Sequence, residues 1–244
     1  MDFLVGIFSY TLSDELLGMG RNSLVYQGTF QRTMVAIKKI EISRITKHVD
    51  IEKCQSESLQ LNHPNIVQLF AIKQNHIYKF FIMEQCVGSL YDFYRGRYKG
   101  IVPSAIHGLC DMSNGLAYIH SKSMAHCNLK TTNVLISLPD VEGAVHLKLS
   151  DYGFNKFTSN TTSIHNIGVG NTKAFLAPEI LKVFNDGVKD SRESETLLKS
   201  ADVFSLGCLF YSYLTKGDHP FGISFAIPHN IMNGNYDIEC KFYF

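Results

Sequence analysis

Between Leu24 and Ile40 apolar and polar residues alternate, Val, Ile, Phe and Tyr are frequent, and the pattern breaks at Gln31 to Thr33. This predicts two antiparallel strands joined by a turn. Val49 to Leu61 is mixed and helical in composition, and Ile66 to Ile72 and Ile77 to Met83 are two more strand-like runs around the polar Lys73 to His76. After Glu84 to Gly88 the period lengthens. Ile106, Leu109, Cys110, Leu116 and Ile119 share one helical face, and Val203, Leu206, Phe210 and Leu214 form a second apolar stripe. Asn185 to Ser200 is polar and charged and reads as a surface loop. The expectation is an α+β chain of two lobes. Residues 1–85 form a small antiparallel sheet with one helix, and residues 86–244 form a larger helical lobe.

Composition narrows the class. The 244 residues are 45% hydrophobic and 18% charged, with a formal charge of +1, enough to bury a core in one globular unit or two packed lobes. Lys and Arg are scattered, so no basic footprint predicts binding to nucleic acid or to an anionic membrane. The six cysteines stand apart, without a CxxC pair or zinc-ligand spacing, and read as reduced thiols. The apolar start MDFLVGIFSYTL lacks a basic leader, and no apolar run reaches the roughly 18 residues of a membrane span. The expected location is cytoplasmic.

A glycine-containing run and four further groups of residues carry chemistry. In Gly18-Met19-Gly20-Arg21-Asn22-Ser23-Leu24-Val25 the glycines let the backbone approach a phosphate, although an ordinary strand turn explains the same residues. A dinucleotide site would need a helix to follow, and a strand follows instead. Val35-Ala36-Ile37-Lys38 places a small residue and a lysine on the same strand face. For Lys38 taken alone, a solvated strand face is the simpler reading. His126-Cys127-Asn128-Leu129-Lys130-Thr131-Thr132-Asn133 precedes a short strand, Asp151-Tyr152-Gly153 follows it, and Ala177-Pro178-Glu179 closes the segment.

In order and spacing these four groups resemble the VAIK, HRDLxxxN, DFG and APE motifs of protein kinases of the Ser/Thr type. Val5-Gly6, the run Asn133 to Asp140, the run Phe204 to Tyr211 and Gly217-Asp218-His219-Pro220-Phe221-Gly222 are further similar to the unfolded-protein-response sensor kinase/endoribonuclease family. The resemblance implies a bilobal protein-kinase fold that binds ATP and Mg²⁺. By it Gly18, Gly20, Val25 and Ala36 would surround the nucleotide, and Lys38 would contact its α- and β-phosphates. Met83 would be the gatekeeper, with Glu84 to Cys86 as the hinge against adenine. Asn133 and Asp151 would ligate the metal, Lys130 would lie against the γ-phosphate, and Asp202 would brace the catalytic loop. Glu57 is the expected partner of Lys38, one helical turn beyond Cys54, with Glu52 pointing elsewhere. A homodimer or a partner kinase is the companion the resemblance implies.

The chain departs from the pattern at the base. Asn128 stands where the resemblance requires an aspartate, and an amide cannot take up the hydroxyl proton, a loss of about 10² to 10⁴ in rate. Cys127 replaces an arginine that would pair with a phosphorylated segment, so Thr161, Thr162 and Ser163 are expected to have little effect, whereas Thr172 fits a position that holds Lys130. Ser23 replaces a third glycine. The sequence ends soon after the Val203 to Leu214 stripe, so the expected large lobe is C-terminally incomplete and carries no endoribonuclease unit. Three functions stay open at this stage. They are a nucleotide-binding regulatory pseudokinase, a slow Ser/Thr protein kinase in which Asn128 only positions substrate, and an interaction scaffold or truncated relic that uses no nucleotide.

Overall fold

The computed structural model describes residues 2–3, 10–20, 23–44, 59–152, 171–186 and 195–238. Its first layer is a six-stranded antiparallel sheet of β1 (Asp2–Phe3), β2 (Tyr10–Met19), β3 (Ser23–Phe30), β4 (Thr33–Glu41), β5 (Leu69–Gln74) and β6 (Tyr78–Glu84), in the order β1-β2-β3-β4-β6-β5. The β3–β4 hairpin closes at Phe30 opposite Thr33 through Gln31 and Arg32, with φ of 50° and 68°. Two left-handed residues give a two-residue hairpin the twist its strands need, and neither residue is a glycine, so the strands impose the turn.

Alternation along β4 does not separate a wet face from a dry one. Val35 and Ile37 pack with Tyr10, Phe30, Phe80 and Ile82, while Ile40 on the opposite face packs with Leu69 and Phe81. Lys38 shares that second face and is buried, which removes the solvated reading.

A single residue, Gln85, separates β6 from a second, three-stranded sheet of β7 (Cys86–Ser89), β8 (Val134–Ser137) and β9 (Leu147–Leu149). Around it stand α1 (Leu90–Tyr94), α2 (Ala105–Ser121), α3 (Pro178–Asp186), α4 (Glu195–Leu214) and α5 (Ile227–Asn233). Ser89 and Asp92 form a reciprocal capping box at the start of α1, and Ser104 caps α2 by accepting from the His107 N–H. The result is the α+β, bilobal protein-kinase fold.

Both helical faces differ in phase from the sequence expectation. In α2 the buried residues are Gly108, Asp111, Met112, Gly115, Leu116 and Ile119, whereas Ile106 is 74% exposed and Cys110 is exposed. Close approach decides this. A Cβ on Gly115 would lie 2.6 Å from the Asn65 carbonyl, and the Asp111 carboxylate accepts the Leu147 N–H at 2.9 Å. In α4 the inward face is Ala201, Asp202, Ser205, Cys208, Leu209, Ser212 and Tyr213, and Val203 of the expected stripe is 59% exposed. Serine hydroxyls on that face bind carbonyls directly, Ser205 to Phe175 at 2.6 Å and Ser212 to Asp218 at 2.7 Å. An apolar count cannot see a face chosen by hydrogen bonds. Glu195 to Ser200, expected as loop, forms the first turns of α4.

Candidate nucleotide and catalytic-loop site

The site lies where the two sheets meet. From the six-stranded sheet, β2 and β3 pair Gly18 with Val25, and the Gly20 N–H reaches the Ser23 carbonyl at 2.8 Å. A Cβ on Gly20 would lie 2.7 Å from the Ser23 hydroxyl, which would have to rotate away, whereas Gly18 has ordinary room. Arg21 and Asn22 lie outside the described residues. Next in register, Val25 faces Lys38 across β3–β4, and Ala36 faces Met83 across β4–β6. Five of the residues expected around a nucleotide, Gly18, Val25, Ala36, Lys38 and Met83, are thus cross-strand neighbours on one sheet.

Glu84 ends β6. Its N–H donates to the Gln68 carbonyl at 2.8 Å, and Cys86 opens β7 opposite Ser137. Burial pushes the Cys86 thiol up to about 12, with the Glu84 carboxylate adding to the effect, so it stays protonated.

The catalytic-loop half is organised by one buried carboxylate. Asp202 on α4 accepts the N–H groups of His126 at 2.7 Å and Cys127 at 2.8 Å, and pairs with His120 Nε2 at 2.9 Å. Those bonds hold Cys127 in the left-handed region at φ 58°, a conformation that a non-glycine residue keeps only when its surroundings impose it. Asn128 follows, and its carbonyl accepts from Asn133 Nδ2 at 2.8 Å. The Asn133 carbonyl in turn accepts the Ser150 N–H at 2.9 Å, which ties the loop to the residue before Asp151. Asn128, Asn133 and Ser150 are all buried.

Asp151 has φ 61° and its Oδ1 lies 2.6 Å from Lys38 Nζ, so the two halves meet in an ion pair. Burial alone would raise the Asp151 pKa. The Lys38 charge and hydrogen bond, with Lys130 and His126 behind them, outweigh burial and hold it below the usual carboxylate range. Burial lowers the Lys130 pKa, and Lys38 adds to that while Asp151 opposes it. Lys38, Lys130 and Asp151 therefore share one electrostatic field. Glu57 and Glu52 lie outside the described residues, as do Gly153, Thr161, Thr162 and Ser163, and the side chain of Thr172 is likewise not described.

Several participants carried no clear sequence signal. His120, in the last turn of α2, adds a third contact to Asp202. Tyr152 is buried, stands edge-on to the His126 ring at 6.5 Å, and donates its hydroxyl to the Val67 carbonyl at 3.2 Å. A hydroxyl where the resemblance has a phenylalanine was the available hint. Among the described residues no three His, Cys, Asp or Glu side chains form a metal cage. The Asp151 carboxylate and the Asn133 amide oxygen are donor types that would suit Mg²⁺, an ion that keeps several waters and takes other ligands from a bound phosphate. No helix among the described residues is long and apolar enough to cross a membrane.

A model of the protein kinase domain matches residues 11–237 of the chain. The serine/threonine-protein kinase/endoribonuclease ire-1 of Caenorhabditis elegans is 30% identical over 241 residues, covering 94% of this chain and 23% of the relative. The human serine/threonine-protein kinase/endoribonuclease IRE2 is 31% identical over 242 residues, covering 95% and 24%. A putative serine/threonine-protein kinase/receptor of Acanthamoeba polyphaga mimivirus is 31% identical over 231 residues, covering 91% and 13%. The chain thus spans about a quarter or less of the length of these relatives.

Proposed function

The chain belongs to the protein kinase domain family, and from that premise we propose that it is a regulatory pseudokinase of Ser/Thr-kinase type that binds Mg-ATP with phosphotransfer lost or very weak. The observation that carries this is the contrast between Asn128 and its surroundings. The backbone around Asn128 is held by Asp202 and Asn133, while the group at the base position is an amide.

In this reading residues 1–85 and 86–244 are the two lobes. Gly18, Gly20, Val25 and Ala36 bound the nucleotide cleft, Met83 guards its rear, and the backbone from Glu84 to Cys86 receives the adenine. Lys38 binds phosphate, and on nucleotide entry its ammonium is shared between Asp151 and the phosphate oxygens. Asp151 and Asn133 offer oxygen ligands to Mg²⁺, which when bound would neutralise phosphate charge. Lys130 adds a cation near the terminal phosphate, and Glu57 is the proposed carboxylate partner of Lys38. Bound nucleotide then shifts the balance of lobe arrangements, and through it a surface for a second copy or a partner kinase. The resemblance to the unfolded-protein-response sensors, together with relatives named as kinase/endoribonucleases, is the basis for proposing a stress-sensor setting on the cytosolic side of a membrane.

A second reading, a slow Ser/Thr kinase, is favoured by the Asn133–Asn128 hydrogen bond, which keeps the Asn128 backbone where a substrate hydroxyl could be oriented. Thermal denaturation with ATP, with and without Mg²⁺, tests the main proposal. Ligand at about 100 times its Kd adds roughly 2.7 kcal/mol. A Mg²⁺-dependent shift that disappears in Asp151→Ala is expected, and no shift in a folded sample would leave a scaffold that uses no nucleotide.

A further inference from the structure

Glu84 sits at the one-residue crossover between the two sheets, and its side chain has a separate set of contacts from its backbone. One carboxylate oxygen lies 2.8 Å from Lys148 Nζ and the other 3.0 Å from the same nitrogen, and that second oxygen also accepts the Gln68 N–H at 3.2 Å. Lys148 is in the middle of β9, three residues before Asp151. Gln68 immediately precedes β5, at the end of a segment already bonded to β9. The Val67 N–H donates to the Leu149 carbonyl at 2.9 Å, the Leu149 N–H donates to the Asn65 carbonyl at 2.9 Å, and Asn65 Nδ2 reaches the Leu147 carbonyl at 3.1 Å.

We infer that the Glu84–Lys148 pair is a positioning clamp, fixing the crossover strand against β9 so that the adenine-facing backbone and the Asp151 carboxylate keep a set separation. The inference rests on the nucleotide-binding reading above. A crossover of so few residues is where two packed bodies pivot, because those residues alone must absorb the change in φ and ψ. A carboxylate at the pivot that holds a lysine on one sheet and a backbone N–H beside the other resists that rotation. An exposed ion pair would contribute little. Here the side chains are only 28% (Glu84) and 13% (Lys148) exposed, the lysine contacts both carboxylate oxygens, and a third donor shares the load. Lys148 thereby acts on the nucleotide site from outside it. Neither it nor the carboxylate of Glu84 belongs to the motifs that identify the cleft.

The test is hydrogen exchange by mass spectrometry across residues 66–90 of the full chain, with Mg-ATP titration by calorimetry, in the wild type, Lys148→Met, Lys148→Arg and the swapped pair Glu84→Lys with Lys148→Glu. Lys148→Met is expected to speed exchange of the Gln68 and Glu84 amides about 10-fold while α2 and α4 stay protected, and to weaken Mg-ATP about 5- to 10-fold, a coupling of ordinary size for a partly buried pair. Lys148→Arg should restore both towards the wild type, and the charge swap should restore affinity and Glu84-position exchange but not Gln68 exchange, because a lysine offers the Gln68 N–H no acceptor. Unchanged crossover exchange in a folded Lys148→Met protein overturns the clamp, as does a uniform rise across all helices, which would mark global destabilisation. Faster crossover exchange with unaltered affinity removes its role in positioning. A wild type that binds no nucleotide defeats the proposed function instead, and the exchange arm then still decides whether the pair pins the crossover.

Discussion

Lys38 and Asp151 stand 113 positions apart in the chain and are joined by a 2.6 Å ion pair that is largely shielded from water. Lys38→Met should leave a poorly solvated carboxylate without its cation. We expect a loss of about 1–3 kcal/mol in urea denaturation at pH 7, and a smaller loss in the Lys38→Met, Asp151→Asn double variant. The folded pKa of Asp151 is depressed, so the pair contributes fully above the unfolded carboxylate value. That stability is lost as pH falls through the folded one.

Asn128→Asp restores a carboxylate at a backbone position already held by Asn133. Phosphotransfer to a generic protein substrate should rise by about 10²-fold or more, with Mg-ATP affinity changed by less than about 3-fold, since only transition-state interactions are altered. Radiolabel transfer and calorimetry measure the two quantities.

Asp202→Ala removes the acceptor of two backbone N–H groups and the partner of His120. Stranding those buried donors should cost about 3–5 kcal/mol. Asp202→Asn, which keeps an acceptor oxygen, should recover a measurable part of the loss in thermal melts.

His219 predicts an acid limb in stability. Burial lowers its imidazole to about 4, its Nδ1 accepts the Phe221 N–H at 3.3 Å, and the Phe175 ring lies edge-on at 5.1 Å. A depressed folded pKa means that the contribution is complete above the unfolded value of about 6.5 and is lost as pH falls towards 4, by up to about 3 kcal/mol. His126, also lowered by burial, acts in the same direction. Melts between pH 7 and pH 4 should show the slope, and His219→Asn, which retains an acceptor, should flatten it.

Gly108→Ala tests why α2 turns the face it does. In an open helix the change would gain up to about 1 kcal/mol from propensity, but here a Cβ would run into the ring of Tyr213, which is fixed by its hydroxyl bond to the Pro103 carbonyl at 2.6 Å. We expect a net loss of about 1–3 kcal/mol.

The β3–β4 hairpin was legible in the sequence because its signal is local, a run of alternating β-formers broken at Gln31. The other two strands were legible with shifted edges, Leu69–Gln74 and Tyr78–Glu84 in place of runs starting at Ile66 and Ile77. Ile66 and Val67 looked like strand because they do pair, but with β9 of the other sheet. Helical faces were less legible. Gly115 and Ser205 face inward for contacts with Asn65 and Phe175, far away in sequence, and periodicity contains nothing about those distances. At the site, Lys38 read alone looked like a surface residue, and its ion pair with Asp151 makes its burial intelligible. The clamp at Lys148 had no sequence signature, since a lysine between two leucines in a strand ordinarily faces solvent.

The phenol of Tyr152 changes how long the residue after Asp151 stays in place. A plain benzyl ring can swing out of its pocket at the cost of its apolar contacts. Departure of Tyr152 also leaves the buried Val67 carbonyl without its donor, which adds about 1–3 kcal/mol to the exit. At one decade per 1.36 kcal/mol, that single oxygen lengthens the dwell of the inward rotamer by about 5- to 160-fold. Ligands that require the ring to vacate its pocket should therefore meet a slow, latch-like barrier here, and deleting the one oxygen with Tyr152→Phe should release it.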